Sequence, residues 1–317
     1  PPPSTAGGTK CRSMPPGSLD YAELHVTTNF TFLTGASHPE EFVQQAAQLG
    51  HPAIGITDIN TLAGIVRAHI AAKEVGIRSI VGCRLELQCP VNATEEEMWP
   101  SESFEREPSH PHPVPLPEAS SLRRRTCPPW RVAPSLPILT YPTDRDSYGQ
   151  LCRLLTLGKR RAPKGQCHLR LHDLIDYSDG LLAVIVPPRD IDENFLDVIH
   201  GLHNVFDDDR LSIAAACTYG PDDRGRLTQL AALSEHTDIP LVATNDAHYH
   251  IPQRRPLQDV LTCIRLGRTL ADAALDLHPN AERHLKSPDH MARLFTDQPQ
   301  AIARSVQIAT RAAGFNL

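Results

Sequence analysis

The stretch SHPEEFVQQAAQLGHPAIGITD, residues 37–58, predicts a helix followed by a strand that ends at a carboxylate. Ser37 can cap the helix, with Glu40 three residues later as its capping-box partner. Apolar residues then recur at the spacing that buries one helix face: Phe42, Val43, Ala46 and Leu49. The short apolar run at 53–57 favours a buried strand. Asp58 therefore lies just past the end of a predicted strand.

The same alternation of helix and strand continues along the chain. A helix is predicted over 62–75, and further elements follow it: strands at 79–81, 138–141, 181–186, 211–215 and 241–244, and helices near 146–157, 192–204 and 223–236. Strands separated by helices are typical of βα units around a parallel sheet. Six or seven of them predict an α/β barrel over 20–87 and 138–255, with a C-terminal helical extension at 256–317. In such barrels the chemistry gathers at the carboxyl ends of the strands.

Two segments differ in composition from this pattern. Residues 1–19 are rich in Pro, Gly and Ser, and eleven of the residues in the 88–137 segment are proline. Such segments cannot bury enough apolar surface to offset their ordering entropy, so we expect a disordered tail and a disordered insertion. His110 and His112 lie in the insertion, where a His-x-His spacing is expected by chance.

Charge and cysteine content limit the class of protein. A net charge of −6 and a pI near 6.2 argue against a protein whose whole surface binds nucleic acid. The eight cysteines are scattered without C-x-x-C pairs, which fits reduced cytosolic thiols. The first 18 residues contain no apolar run typical of a secretory signal or membrane anchor. We therefore expect a cytoplasmic protein with no membrane partner.

One local basic run is a candidate for nucleic-acid contact. It follows a predicted helix and comprises Lys159, Arg160, Arg161 and Lys164. Cations at this position either neutralise phosphates or complement the negative end of the helix dipole, and both interpretations stay open.

Residues of metal-ligand type fall at the predicted strand ends. Glu23 and His25 are two residues apart on a strand, so their side chains would point to the same side. Asp246 and His248 have the same spacing after the last strand, and Asp58 adds a carboxylate. Carboxylate and imidazole groups together suit Zn²⁺, Mn²⁺ or Fe²⁺. Each residue alone also has a structural interpretation, as a buried histidine, a helix cap or part of a polar turn.

Longer runs of sequence resemble a known family. Residues 21–25 (YAELH) and 29–37 (NFTFLTGAS) are similar to the opening of PHP domains in DnaE-type DNA polymerases, and residues 56–64 are similar to their second motif. The runs at 154–165 and 242–265 resemble the error-prone branch of that family. The resemblance covers the chain from about residue 20 onward, apart from the insertion. It implies an α/β fold of the PHP type, a distorted (β/α)7 barrel.

The resemblance also implies a chemistry that this sequence departs from. Intact members hold up to three metal ions and hydrolyse phosphoesters, in some polymerases as a proofreading exonuclease. They have His at Glu23 and Ile59, Asp at Thr34, Glu at Arg84 and Cys near Pro187. Two-metal hydrolysis needs bridging carboxylates, so we expect this site to be degenerate and to hold at most one divalent ion, Zn, Mn or Mg.

Arg84 suggests what replaces the metal. A guanidinium stays charged in proteins, and this one would lie beside Glu23, Asp58 and Asp246. We expect Arg84 to neutralise these carboxylates through charge-assisted hydrogen bonds. The alternative is a side chain that turns outward to solvent.

The resemblance finally implies a function. It indicates the PHP domain of an error-prone DNA polymerase that acts in replication, repair and translesion synthesis, with a structural or scaffolding role. Its partners would be DNA, damage-response polymerase partners, and the palm and fingers that carry nucleotidyl transfer; without these regions we do not expect the chain to polymerise DNA. Two alternatives stay open, a truncated or split gene product and a stand-alone metal-dependent phosphoesterase or exonuclease. The second would use His25, Asp58, Asp246 and His248.

Overall fold

A computed structural model describes residues 20–88 and 135–315. Within them the chain is an α/β protein with two sheets. The predicted tail at 1–19 lies outside the described residues, as does nearly all of the predicted insertion, with His110 and His112. The ends of that insertion do belong to strands, since Gln88 closes one strand and Ser135 opens the next.

The first sheet is built from the βα units around the opening stretch. Its strands are parallel and lie in the order β1-β2-β3. In chain order its elements are β1 Glu23–Val26, α1 Pro39–Leu49, β2 Ala53–Ile56, α2 Ile65–Val75 and β3 Arg78–Val81. The predicted apolar stripe is confirmed, because Phe42, Val43 and Ala46 are buried in one cluster with Ile54 and Ile56.

The start of α1 corrects the predicted cap. The helix begins at Pro39 after His38, whose backbone N–H donates to the Glu41 carboxylate at 2.8 Å. Ser37 is therefore not the N-cap. Its hydroxyl lies 2.8 Å from the His250 ring Nδ1 and accepts from the His250 backbone N–H at 3.1 Å, so it ties this loop to the segment after the last strand.

The second sheet has the order β6-β4-β5-β7-β8-β9. Its elements are β4 Cys83–Gln88, β5 Ser135–Pro142, α3 Arg145–Arg161, β6 Leu169–Arg170, α4 Leu171–Asp176, β7 Leu181–Ile185, α5 Glu193–Val205, β8 Leu211–Ala216, α6 Asp223–Thr237 and β9 Leu241–Thr244. The expectation of a purely parallel sheet is wrong, because β5 runs antiparallel to both β4 and β7. The chain leaves the sheet along β4 and returns beside it, with no crossover helix among the described residues.

Three local features join the two sheets. Only Gly82 separates β3 from β4, so the chain passes from one sheet directly into the other. Isolated parallel bridges pair Val26 with Ala247 and Ile59 with Arg84. The carboxyl ends of β1, β2 and β9 consequently meet in one place.

The C-terminal helices pack against the sheets. They are α7 Arg255–Leu266, α8 Pro288–Leu294 and α9 Pro299–Arg311, with short 3-10 turns at Pro252–Arg254 and Ala312–Gly314. Ile308 and Ala309 of α9 are buried in a cluster with Leu24 and Val242, and the Ser305 hydroxyl accepts from the Ala22 backbone N–H at 3.1 Å. The predicted helical extension is therefore part of the core. None of the helices in the described parts of the chain is long and apolar enough to cross a membrane.

Gly82 provides a test of how the two sheets are joined. A Cβ added there would lie 2.8 Å from the Thr57 Cγ2, 2.9 Å from the Ile56 carbonyl oxygen and 2.9 Å from the Tyr141 ring. Gly82→Ala should therefore lower the free energy of unfolding by about 1–3 kcal/mol, measured by urea denaturation. Gly149→Ala in α3 is the matched control. Its Cβ would meet nothing within 4 Å, and the substitution should be neutral or stabilise by up to about 1 kcal/mol. Equal effects at both glycines would contradict this description of the joint.

Candidate functional site

The candidate site lies where β1, β2 and β9 end. Glu23 and His25 are in β1, Asp58 follows β2, and Asp246 and His248 follow β9. Except for Asp246, all of them are buried. The structure therefore brings these residues to one region, although Glu23 is the first residue of β1 and does not lie at its carboxyl end.

The Glu23 carboxylate is occupied by protein donors. It accepts from the Tyr21 hydroxyl at 2.7 Å, from the His25 backbone N–H at 2.8 Å and from the Asn245 backbone N–H at 3.0 Å. Burial raises the pKa of Glu23 to about 7 despite these hydrogen bonds. Glu23 therefore fastens β1 to the chain after β9, and its oxygens face donors where a metal ligand would need them unpaired.

The Asp58 carboxylate is occupied in the same way. It accepts from the Thr28 backbone N–H at 2.8 Å, the Thr28 hydroxyl at 2.7 Å and the Thr31 hydroxyl at 2.7 Å. Burial raises its pKa, against the lowering effect of these donors. Asp58 thus holds the loop after β1 in place. Glu23 and Asp58 are near the site but do not converge with the other candidates on a shared point.

His25, Asp246 and His248 do converge. The Nε2 atoms of His25 and His248 each lie 3.2 Å from Oδ1 of Asp246. The orientation makes a hydrogen bond for His248 but not for His25, whose ring nitrogens have no hydrogen-bond partner within the described residues. Asp246 adopts a left-handed backbone with φ 46°, a conformation that non-glycine residues seldom take and that recurs at functional sites.

Arg283 contacts the other oxygen of the same carboxylate. Its Nη1 donates a hydrogen bond to Oδ2 of Asp246, and the two side chains are 25% and 17% exposed. Burial, reinforced by Arg84, lowers the pKa of Arg283 to about 10, so this side chain remains a cation at neutral pH. Sequence reasoning missed Arg283, because it follows no strand and reaches the site from a segment without regular periodicity.

Hydrogen bonds attach the segment that carries Arg283 to the chain after β9. The His248 backbone N–H donates to the Arg283 carbonyl at 2.9 Å, and Tyr249 forms an isolated bridge with His284. Below it, the buried Lys286 ammonium donates to the Asn245 side-chain oxygen at 2.8 Å. Backbone and side-chain contacts together therefore fix the position of the guanidinium.

Arg84 contacts a different carboxylate from those predicted. Its Nε donates to Oε1 of Glu86 at 2.7 Å, and the structure places no hydrogen bond from it to Glu23, Asp58 or Asp246. The positive charge of Arg84 still contributes to lowering the pKa of His25 and of His248. Arg84 pairs with Glu86 because the two residues are two apart on the same strand, with their side chains on the same side. The arginine that contacts Asp246 is Arg283 instead.

Burial, with the nearby cations adding to it, keeps the two histidines of the site neutral. Burial, followed by the Arg84 guanidinium, lowers the pKa of His25 well below its usual value. The same two causes, with Arg265 adding to them, lower the pKa of His248 to about 3. The ring of His278 packs edge-on against His248 with centroids 5.1 Å apart. At neutral pH the imidazoles are therefore uncharged beside several guanidinium groups.

Positions where the sequence departs from intact family members do not supply other ligands. Thr34 is buried and its hydroxyl accepts from the Arg265 Nη1 at 3.4 Å. Ile59 pairs with Arg84 through the backbone, and the Pro187 carbonyl accepts from Arg226 at 3.3 Å. Each position is engaged in a contact within the protein.

The donor set does not fit a metal cluster. Among residues 20–88 and 135–315, no group of three or more His, Cys, Asp or Glu side chains is arranged to hold a metal ion. The carboxylates of Glu23 and Asp58 accept hydrogen bonds from protein donors, and one oxygen of Asp246 accepts a hydrogen bond from the Arg283 guanidinium. These oxygens are therefore not available as metal ligands. Two-metal catalysis needs bridging carboxylates and an open coordination position, and these residues offer neither.

The basic run lies at the end of α3. Arg161 forms a two-point ion pair with Asp173, with N–O distances of 2.6 and 2.9 Å. Lys159, Arg160 and Lys164 are exposed. Arg161 thus has a structural role, whereas the other three face solvent.

Comparison with known proteins places the chain among related sequences. Residues 23–216 match the family model described as the PHP domain. The chain is 43% identical over 297 residues to an error-prone DNA polymerase of Caulobacter vibrioides, covering 94% of this chain and 23% of that protein. It is 40% identical to an error-prone DNA polymerase of Bradyrhizobium sp., covering 92% of this chain and 22% of that protein.

The match to these relatives is confined to their N-terminal part, and the chain spans about a quarter of their length. Among solved structures, it is similar to a Bifidobacterium adolescentis protein assigned as a metal-dependent phosphoesterase. That similarity has a TM-score of 0.44 and 15% identity, and it covers 74% of this chain and 89% of that one.

The Arg283–Asp246 contact gives a stability prediction. Arg283→Gln leaves the Asp246 carboxylate without its cation, so it should lower the free energy of unfolding by roughly 2 kcal/mol, between the values for buried and exposed ion pairs. Arg67→Gln is the matched control, because Arg67 pairs with Glu40 while its side chain is 49% exposed; that loss should stay below about 1 kcal/mol. Adding Asp246→Asn to Arg283→Gln should recover part of the loss. Purely additive effects in this cycle would contradict the ion pair.

Proposed function

We propose that this chain, which belongs to the PHP domain family, is the N-terminal module of an error-prone DNA polymerase and that its PHP site stabilises the module without hydrolysing phosphoesters. The observation that carries the proposal is the Arg283 guanidinium on the Asp246 carboxylate. A protein cation stands against the carboxylate on which the two histidines converge. The similarity to the N-terminal parts of named error-prone polymerases supports the rest.

Metal-dependent hydrolysis would require carboxylate oxygens as metal ligands, but in this site the carboxylates already accept hydrogen bonds from protein groups. A metal-activated water needs ligands that leave one coordination position open. Here Glu23 and Asp58 accept hydrogen bonds from protein donors, and Asp246 is shared by two imidazoles and an arginine. A metal bound to Oδ1 of Asp246 between the two imidazoles would share this carboxylate with the Arg283 guanidinium on Oδ2, and the two cations would repel each other.

The same contacts suit a scaffolding role. Glu23, Asp246 and the Arg283 segment connect β1, β9 and the chain before α8, which are far apart in sequence. Such long-range polar contacts fix how the C-terminal helices pack on the sheets. In the larger polymerase this would hold the module rigid beside the polymerase region, its proposed partner, during synthesis on damaged or undamaged templates. DNA synthesis and translesion synthesis are proposed for the whole protein, not for this chain alone.

We also propose that the two sheets form the distorted (β/α)7 barrel of the family. Counting β3 and β4 as one bent strand and leaving the two-residue β6 aside gives seven strands. The Val26–Ala247 bridge supports closure, since it joins β1 to the chain after β9, and these are outer strands of the two sheets. The Ile59–Arg84 bridge adds a second link, from the chain after β2 to β4.

A stand-alone metal-dependent phosphoesterase is the rival function. It is favoured by one observation, the convergence of His25 and His248 on Asp246. In that case a metal would bind Oδ1 of Asp246 together with the two imidazoles. The two functions therefore differ in what added metal does.

Metal content and hydrolysis distinguish them. We expect purified protein to contain Zn and Mn well below stoichiometric amounts, measured by elemental analysis. With a chromogenic phosphodiester and added Mn²⁺, turnover should not exceed that of Asp246→Asn, because the carboxylates are engaged by protein donors. Stoichiometric metal, together with sustained turnover that Asp246→Asn abolishes, would establish the phosphoesterase instead.

DNA contact by the basic run is tested separately. If Lys159, Arg160 and Lys164 neutralise phosphates, changing all three to Gln should weaken binding of single-stranded DNA and reduce the slope of log affinity against log salt by about 2, close to 0.7 per contact. Arg161→Gln is excluded from this set, because it would break the Asp173 ion pair. Changing the exposed Arg224, Arg293 and Arg78 to Gln gives a control of equal charge. An equal loss in both triple variants would show only a nonspecific charge effect.

A further inference from the structure

We propose that the outward face of α7 is a docking surface for an α-helix of the polymerase region that follows the matched part in the relatives of this chain. The inference rests on the proposed function, since it takes the chain as the N-terminal module of a polymerase. The surface consists of three α7 residues, Leu257, Val260 and Ile264, and of Leu270 just after the helix. These four side chains are called the α7 stripe.

The helix α7 directs polar side chains inward and aliphatic side chains outward. Its buried residues are Gln258, Thr262 and Cys263. Leu257, Val260 and Ile264 are exposed instead. A helix at the surface of a domain normally has the opposite arrangement, with its apolar face on the core and its polar face in water. Since exposure of apolar area to water is unfavourable, the outer side of α7 is suited to a covering partner.

The geometry of the α7 stripe suits a helical partner. Leu257, Val260 and Ile264 are spaced three and then four residues apart, so they lie on one face of the helix. Val260, Ile264 and Leu270 line one groove with a volume of about 540 Å³. Proteins bind amphipathic helices in apolar grooves, which the partner's residues at i, i+3, i+4 and i+7 fill. The partner that fits is therefore a helix with one apolar face.

Arg265 adds a charge requirement to this partner. Its side chain is exposed and donates to the uncharged Thr34 hydroxyl at 3.4 Å. No carboxylate in the described parts of the chain forms an ion pair with it, whereas Arg255 in the same helix is paired with Asp259 at 2.7 Å. A carboxylate beside the apolar face of the partner helix would complement the Arg265 charge.

The small size of the α7 stripe favours a covalently linked partner. A stable complex of separate chains buries about 800 Å² on each partner, which four partly exposed aliphatic side chains do not supply. A linked region needs less contact area, because linkage gives it a high effective concentration. The matched part is 23% of the Caulobacter relative and 22% of the Bradyrhizobium relative, so both contain a long region beyond it. We therefore assign the surface to that region and not to a second copy of the chain.

Hydrogen exchange tests the docking surface. A chimera is made in which this chain replaces the matched N-terminal part of the Caulobacter vibrioides polymerase, to which it is 43% identical. Exchange over residues 255–271 is measured by mass spectrometry in the chain alone and in the chimera. Circular dichroism and primer extension check that the chimera is folded. We expect exchange to be slower by about tenfold or more in the chimera, because a docked helix opposes local opening.

Two isoleucines with similar exposure identify the surface. Ile264→Glu places a charge in the docked contact, so exchange over 255–271 in the chimera should return to the rate of the chain alone. Ile70→Glu in α2 is the matched control, because Ile70 is 53% exposed and Ile264 is 59% exposed. With this control substitution, exchange over 255–271 should stay slow.

Arg265→Glu tests the charge requirement without altering the α7 stripe. In the chimera it should speed exchange over 255–271 by about threefold, as expected for the loss of a partly exposed ion pair. In the chain alone it should leave that exchange unchanged.

The outcomes separate the docking surface from the proposed function. Equal exchange over 255–271 in the chain alone and in a chimera that extends primers would overturn the docking surface, as would slow exchange that persists in Ile264→Glu. A dimer of the chain alone in sedimentation velocity, lost in Ile264→Glu, would assign the surface to a second copy instead. The proposed function fails by a different result, stoichiometric metal with phosphodiester turnover, which exchange in α7 does not report.

Discussion

The rest of the site depends on the contact between the Asp246 carboxylate and the Arg283 guanidinium. The Asp246 backbone is held in a left-handed conformation just after β9, where the Val26–Ala247 bridge brings β1 alongside. One oxygen faces two neutral imidazoles and the other faces Arg283. A partly buried charge of this kind needs a cation, and the segment before α8 supplies one. The strand ends, that segment and the C-terminal helices therefore form one connected unit.

Local patterns predicted much of this fold, because they depend on residues close in sequence. The buried face of α1 and the strand before Asp58 both follow from the spacing of apolar residues. Long-range features could not be read in the same way. The antiparallel β5 depends on how the chain returns after a long insertion, and Ser37 is diverted from its capping role by His250, which lies beyond β9.

In the candidate site, too, local features could be predicted from the sequence and long-range contacts could not. Residues at strand ends were found from the sequence, because strand ends are local features. Arg283 was not, since its role depends on a loop folding back over β9. Arg84 was identified as a cation near the site, but the sequence could not show that Glu86 on the same strand would engage it. Protein donors also cover Glu23 and Asp58, so a residue of ligand type at the right strand end does not suffice to make a metal ligand.

We propose that protein contacts, above all the one from Arg283, hold the carboxylates of this site in place of metal ions. The most direct measurement is a crystal structure of the chain grown with excess Mn²⁺, with anomalous scattering data collected to locate the ion. We expect Arg283 in contact with Asp246 and no anomalous peak among His25, Asp246 and His248. A peak coordinated by these residues would contradict this prediction.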